Sequence, residues 1–180
     1  ANATLGLMEP VSNGIGGDLF AIVYSAKEDK LYGLNGSGRS PRGLSYDEMK
    51  SQLAKLHEEF LPPTGMLPIS VPGCVDAWAE LQKKFGKLSL GDDLAPAIHY
   101  AEDGFPVTQL ISFYWARSVP IYKGLPGAFL ETYTCGGEAP TEGDIFQNPA
   151  LAQPVSLIAA ARPGACSQGV LREKIRPSMQ

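Results

Sequence analysis

Two short apolar runs walled off by glycines set the terms for this chain. Leu19 to Tyr24 is apolar with β-branched and aromatic members, and Leu31 to Leu34 is a second, shorter run. The polar residues Lys27-Glu28-Asp29-Lys30 join them. Two such runs with a polar connection predict a β-hairpin. Gly14, Gly16 and Gly17 precede the first run, and Gly36 and Gly38 follow the second. In an antiparallel pair those two places lie at one end. Both glycine-rich loops are therefore expected side by side, and that end is where chemistry is sought.

The 180 residues suffice for one domain with a core. Hydrophobic residues make up 44% and charged residues 19%, an ordinary globular composition. The formal charge, 15 − 19 = −4, gives no basic footprint for a nucleic-acid partner, and none is expected. Cys74, Cys135 and Cys166 form no Cys-x-x-Cys pair, and His57 and His99 are too few for a histidine-rich centre. No metal and no cofactor are expected. No apolar run approaches the roughly 20 residues of a membrane span, and no signal-peptide pattern is present. Cytoplasmic and periplasmic or secreted settings both stay open. The chain opens on Ala1-Asn2-Ala3-Thr4-Leu5-Gly6-Leu7-Met8, which reads as the last turns of a helix and leads to the expectation that the beginning is missing. Asn2-Ala3-Thr4 fits the glycosylation sequon, a pattern common by chance.

Pro10 should end the opening helix. After the hairpin, Ser45 with Glu48 predicts a capping box for a helix over 46–57. Ile69-Ser70-Val71 reads as a short strand stopped by Pro72-Gly73. Helices are predicted over about 73–85, 91–102 and 108–118, with Gly86 as a C-cap and Pro96 tolerable only early in its helix. Residues 120–148 read as mostly loop. Pro149 starts another helix that Pro154 interrupts or delays, and 164–175 holds a last one. The expectation is an α/β (α+β) chain: a β-hairpin near the N-terminus, then mostly helices layered on a sheet of which few strands are present.

Several patterns invite a functional reading. Gly14-Ile15-Gly16-Gly17 has half of a dinucleotide fingerprint, but Leu19 stands where the third glycine belongs and the strand follows instead of preceding. Gly38 to Ser45 has P-loop spacing with Leu44 in place of the essential lysine, so it is rejected. Asn35-Gly36-Ser37-Gly38-Arg39 is the best candidate. Exposed backbone N–H groups, one hydroxyl and one guanidinium could together hold a carboxylate, and the Arg39 fork could do so through two bonds. On residue type alone, an arginine that fixes a neighbouring carbonyl or acid is the commoner role. Asp92-Asp93 sits at a helix start, where acids cap, and is read as structural. His99 lies mid-helix with no acid or second ligand at metal spacing. Cys74 follows Pro72-Gly73 at a helix start, where thiol pKa values fall, but no histidine partner can be placed beside it.

Four blocks taken together resemble the gamma-glutamyltransferase (gamma-glutamyltranspeptidase) family. They are residues 1–20, the Leu34-Asn35-Gly36-Ser37-Gly38-Arg39-Ser40-Pro41 loop, Ser70 to Trp78, and Leu94 to Val107. The match covers nearly the whole chain, more loosely from Pro154 on, where Cys166-Ser167 stands in place of the family's usual aromatic residues. The resemblance implies an N-terminal-nucleophile (Ntn) hydrolase with an αββα sandwich, whose precursor cuts itself into a large and a small subunit. The small subunit's new N-terminal threonine attacks an amide, its α-amine acting as base, and the acyl-enzyme passes its acyl group to water or an amine. The family's nucleophile lies in a Thr-Thr-His type of sequence. No Thr-Thr pair occurs here, and Thr4, Thr64, Thr108, Thr132, Thr134 and Thr141 lie in other contexts. The chain therefore resembles part of the large subunit, a single partial domain over 1–180, inactive alone and partnered by the rest of its precursor, including the small subunit.

One departure bears on substrate. Typical members carry Asp-Gly-Arg-Glu-Thr-Ala-Pro where this chain has Asn35-Gly36-Ser37-Gly38-Arg39-Ser40-Pro41. Counting back from Pro41, Ser37 falls on the arginine that grips the γ-glutamyl α-carboxylate, and Arg39 stands two residues away. This version resembles the branch with cephalosporin-acylase-like and oxamate-amidohydrolase-like members. Arg39 and Ser37 are the substrate-binding candidates implied, for a γ-glutamyl group or another small anionic amide. The rival expectations are a non-catalytic truncated remnant and a free-standing anion-binding module.

Overall fold

A computed structural model describes residues 1–125 and 127–160. The hairpin forms as the sequence predicts. β1 (Phe20–Ser25) pairs antiparallel with β2 (Lys30–Asn35), from Phe20 opposite Asn35 to Ser25 opposite Lys30. Side chains alternate across the pleat. Val23, Tyr32 and Leu34 face inward, while Phe20, Ile22, Tyr24 and Leu31 face out and are exposed. The inward face meets α3 (Cys74–Phe85), where the Tyr32 and Phe85 rings stand edge to face at 5.3 Å. Leu81 and Lys84 of the helix line the same hairpin–helix cleft.

The core lies elsewhere, among helices. α1 (Asn2–Met8) packs on α4 (Leu90–Asp103), which packs along α7 (Pro149–Ala160). Ala3, Leu94, Ala97, Val155 and Ile158 close that contact. α4 starts with a full capping box: Ser89 Oγ accepts from the Asp92 N–H, and Asp92 accepts from the Ser89 N–H. A second cluster centres on Trp115 in α5 (Gln109–Tyr122), which is fully buried. Its ring meets Phe146 edge to face at 4.8 Å, and its indole N–H donates to the Tyr133 carbonyl at 2.7 Å. The buried ring thus leaves no polar atom unpaired.

Residues 120–148 are more ordered than the loop their composition predicts. α5 runs on to Tyr122, α6 spans Phe129–Tyr133, and β3 (Phe105–Pro106) pairs antiparallel with β4 (Ile145–Phe146). Prolines bend the helical expectations less than propensity suggests. Pro96, Pro120 and Pro154 all sit inside continuous helices. Each costs one backbone bond, and the tertiary contacts of Ala97, Val119 and Val155 hold the helix through it. The strand expected at Ile69–Val71 is absent: the segment makes one cross-chain backbone bond, Val71 N–H to the Arg39 carbonyl at 2.9 Å, and one turn bond, Ile69 N–H to the Met66 carbonyl at 3.3 Å, and no ladder. Ser45 Oγ accepts from the Glu48 N–H at the start of α2 (Tyr46–Lys55), half of the box predicted there. The helix expected over 164–175 lies outside the described residues, as does Cys166.

Candidate functional site

Three segments meet at the glycine-rich end of the hairpin: Gly16 to Leu19, Asn35 to Arg39, and Ser70 to Cys74. The hairpin ladder continues one step past β1 and β2, with the Gly36 N–H donating to the Leu19 carbonyl at 2.7 Å. Gly17 then offers its carbonyl to the N–H groups of Gly73 and Cys74, at 3.1 and 3.0 Å. The start of α3 is thereby tied to the loop before β1. The expectation that the two glycine loops lie together holds, and the chain before α3 joins them.

The approach is close enough to require glycine. A Cβ on Gly38 would stand 1.5 Å from the Val71 carbonyl oxygen. One on Gly73 would meet the Gly36 carbonyl oxygen at 2.2 Å, and one on Gly36 the Ala77 Cβ at 2.5 Å. Each of these three glycines works by size, since none has a positive φ.

A residue that motif reading passed over holds the knot together. Asp18 Oδ1 accepts from the Gly38 N–H at 2.9 Å and from the Ser70 hydroxyl at 3.2 Å. The Gly38 amide holds the Asp18 carboxyl below the usual carboxylate range. Partial desolvation opposes it, and the Ser70 and Ser37 hydroxyls assist. The hairpin register could have disclosed this. With Leu19 opposite Gly36, the next residue back falls beside Ser37 and Gly38.

Ser37 and Arg39, the two sequence candidates, flank this anchored amide. The Ser37 N–H donates to Asn35 Oδ1 at 2.9 Å, an Asx turn that shapes the loop. Its hydroxyl reaches the Gly38 carbonyl at 3.5 Å. The Arg39 carbonyl accepts from Val71, while its side chain is exposed with no hydrogen-bond or ion-pair partner among the described residues. The commoner role for an arginine, bracing a neighbouring acid, is not what this guanidinium does here.

The other candidates resolve as structure. Cys74 is 1% exposed, and burial, then the Asp18 charge, pushes its thiol up, opposite to the fall expected at a helix start. Asn2 Oδ1 caps this corner, accepting from Cys74 Sγ at 3.7 Å and from Trp78 Nε1 at 2.8 Å. His99 does have an acid one turn on: its Nδ1 lies 2.6 Å from Asp103 Oδ2 on the exposed face of α4. The sequence reading missed that pair, which is a surface contact with no second ligand. Among the described residues no three His, Cys, Asp or Glu side chains converge as a metal site would need.

Set beside known proteins, the whole chain, residues 1–180, matches the family model described as gamma-glutamyltranspeptidase. The chain belongs to the gamma-glutamyltranspeptidase family. It is 32% identical over 180 residues to the glutathione hydrolase-like YwrD proenzyme of Bacillus subtilis, covering 99% of this chain and 33% of that one. It is 30% identical to the oxamate amidohydrolase proenzyme of Klebsiella pneumoniae, over 99% of this chain and 34% of that protein. Among solved structures, the cephalosporin acylase of Bacillus halodurans superposes with a TM-score of 0.87 at 39% identity, over 98% of this chain and 33% of that chain. The chain thus spans about a third of the length of these relatives. Its mixed fold, a hairpin followed by helices, is part of the Ntn-hydrolase αββα sandwich of this gamma-glutamyltranspeptidase and acylase group.

Proposed function

We propose that this chain is a single partial domain, from the large subunit of a gamma-glutamyltransferase-like amidohydrolase or acyltransferase, and that it supplies substrate-binding groups to a threonine nucleophile carried outside it. Arg39 and Ser37 receive the anionic end of a γ-glutamyl group or another small amide. One observation carries the reading. The main chain beside Arg39 is pinned through its carbonyl and the Gly38 N–H, while the guanidinium has no partner among the described residues. The pinned backbone fixes where the Arg39 side chain leaves the loop, and its unspent donors are free for the two-bonded grip of a carboxylate. The names of the relatives, an oxamate amidohydrolase among them, support a small anionic amide.

The chemistry follows from the family. The threonine hydroxyl adds to the amide carbon as its α-amine takes the proton. The amine leaves carrying that proton, and an ester to the enzyme remains. Water or a second amine then takes the acyl group and regenerates the threonine. In this scheme Arg39 and Ser37 set which amides lie against the nucleophile and take no part in bond making.

The test is kinetic, on the complete matured protein, with oxamate and γ-glutamyl-p-nitroanilide as probes. Arg39→Ala should raise KM for the better anionic probe about ten- to hundredfold, the value of one charge-assisted contact. Efficient turnover of γ-glutamyl-p-nitroanilide that Arg39→Ala leaves unchanged would refute the assignment.

A further inference from the structure

We infer that Asp18 is a positioning residue: its carboxylate holds the Ser37–Arg39 backbone so that the guanidinium is presented to an anionic substrate. The inference rests on the reading of Arg39 given above. Asp18 reaches across the knot from the loop before β1 and bonds the one amide that lies between the two candidate ligands, the Gly38 N–H at 2.9 Å. The Ser70 hydroxyl, from the segment before α3, donates to the same oxygen at 3.2 Å. One carboxylate oxygen therefore joins all three segments of the site. Among the described residues the other long-range bonds of this loop are the Gly36 N–H to the Leu19 carbonyl, before it, and the Val71 N–H to the Arg39 carbonyl, one residue further on. Without Asp18, the Gly38 N–H loses its partner and the Ser37 N–H keeps only the local Asx turn to Asn35, so the backbone that carries Arg39 gains conformational freedom.

The carboxylate does this without consuming the cation. Asp18 forms no ion pair with Arg39, and its accepted bonds come from uncharged donors. An acid that both braced the loop and paired with the guanidinium would compete with the substrate. Bonding to the amide and the hydroxyl leaves the guanidinium available. The sequence places this acid directly after Gly16-Gly17, and Gly17 is itself pinned through its carbonyl to Gly73 and Cys74. Asp18 is therefore mounted on a loop that is itself tied to the start of α3.

The test uses the complete matured protein with Asp18→Ala, Asp18→Asn, Arg39→Ala and the Asp18→Ala/Arg39→Ala pair. Each is assayed on oxamate and on its uncharged analogue oxamide, and on γ-glutamyl-p-nitroanilide and 4-aminobutyryl-p-nitroanilide, which lacks the α-carboxylate. Asp18→Ala should raise KM for the carboxylate-bearing member of each turned-over pair about tenfold, with kcat little changed. The member without a carboxylate should be affected much less. Asp18→Asn keeps an acceptor for the Gly38 N–H and should recover most of the loss. In the double variant Asp18→Ala should add little to Arg39→Ala, because the group it presents is gone. A merely structural aspartate would harm both members of a pair alike and add fully to Arg39→Ala; either result overturns the inference. So does a normal KM in Asp18→Ala when Arg39→Ala is impaired, and that result leaves the Arg39 reading standing. A normal KM in Arg39→Ala defeats the Arg39 reading itself. If Asp18→Ala fails to mature, Asp18→Asn and Ser70→Ala take its place, and unchanged anion discrimination in both overturns the inference.

Discussion

Gly38→Ala asks the most of the glycine knot. The added Cβ would stand 1.5 Å from the Val71 oxygen, 2.6 Å from its carbonyl carbon and 3.1 Å from its nitrogen. All three are main-chain atoms, so no rotamer change relieves the clash. Carbon and oxygen need about 3.4 Å, so the two segments must part by nearly 2 Å. That separation removes the Val71 N–H to Arg39 carbonyl bond and the Gly38 N–H to Asp18 bond, each 2.9 Å long. Two bonds at about 1 kcal/mol each, with about 1–3 kcal/mol for forced displacement, give about 3–5 kcal/mol. The loop is exposed, so water replaces part of the lost bonding, and about 2–4 kcal/mol is the working figure. Gly33→Ala is the control. It lies on the same hairpin with nothing within 4 Å of the added Cβ, and it should be neutral or stabilising by up to about 1 kcal/mol. Urea unfolding of the complete protein, read by fluorescence, compares the two. If Gly38→Ala costs no more than Gly33→Ala to within about 0.5 kcal/mol, the close approach described here is wrong. The same substitution should also raise KM for the anionic probe, since it moves the backbone that carries Arg39.

Two further outcomes follow from the described groups. Cys74 is buried with its thiol pushed up, whereas Cys135 is exposed. A thiol reagent applied to the native protein should therefore label Cys135 well before Cys74, as peptide mapping would show, and the order should vanish in denaturant. The Thr141 N–H and hydroxyl both donate to Asp144 Oδ2, at 2.8 Å each, and hold that carboxyl below its usual range. A depressed folded value means the contribution is present above the unfolded value of about 3.9 and is lost as pH falls through the lower folded one. Denaturation midpoints measured from pH about 5 down to about 2 should thus decline less steeply in Asp144→Asn than in the parent.

What the sequence disclosed and what it hid divide along physical lines. The hairpin was legible because period-two patterning and the Lys27–Lys30 break are local signals, and the helices that start near 46, 74, 90 and 109 were legible because helical spacing and stops such as Ser45 and Gly86 are local too. The order within 120–148 was not, since β3 and β4 are two residues each and exist only because residues some 40 apart in sequence meet over Phe105 and Phe146. The three prolines misled for a related reason: propensity counts the missing bond, and only packing shows what offsets it. Arg39 and Ser37 stood out by residue type. Asp18 did not, because an aspartate after two glycines carries no signal until the register puts it opposite Ser37, within reach of the Gly38 N–H.

That same register bears on the displaced arginine. In the typical loop, Asp-Gly-Arg-Glu-Thr-Ala-Pro, the residue that falls on Gly38 is a glutamate. A Cβ there would meet the Val71 carbonyl oxygen at 1.5 Å, so a glutamate at this position requires the loop and the Val71 segment to stand further apart. Grafting arginine at Ser37 while keeping Gly38 would add a second guanidinium beside Asp18, whose carboxylate lies within reach of the Ser37 side chain. The new cation would pair with that acid and loosen its hold on the Gly38 N–H. Ser37→Arg should accordingly weaken, and not improve, handling of γ-glutamyl-p-nitroanilide, and a KM that falls in this variant would refute the pairing with Asp18.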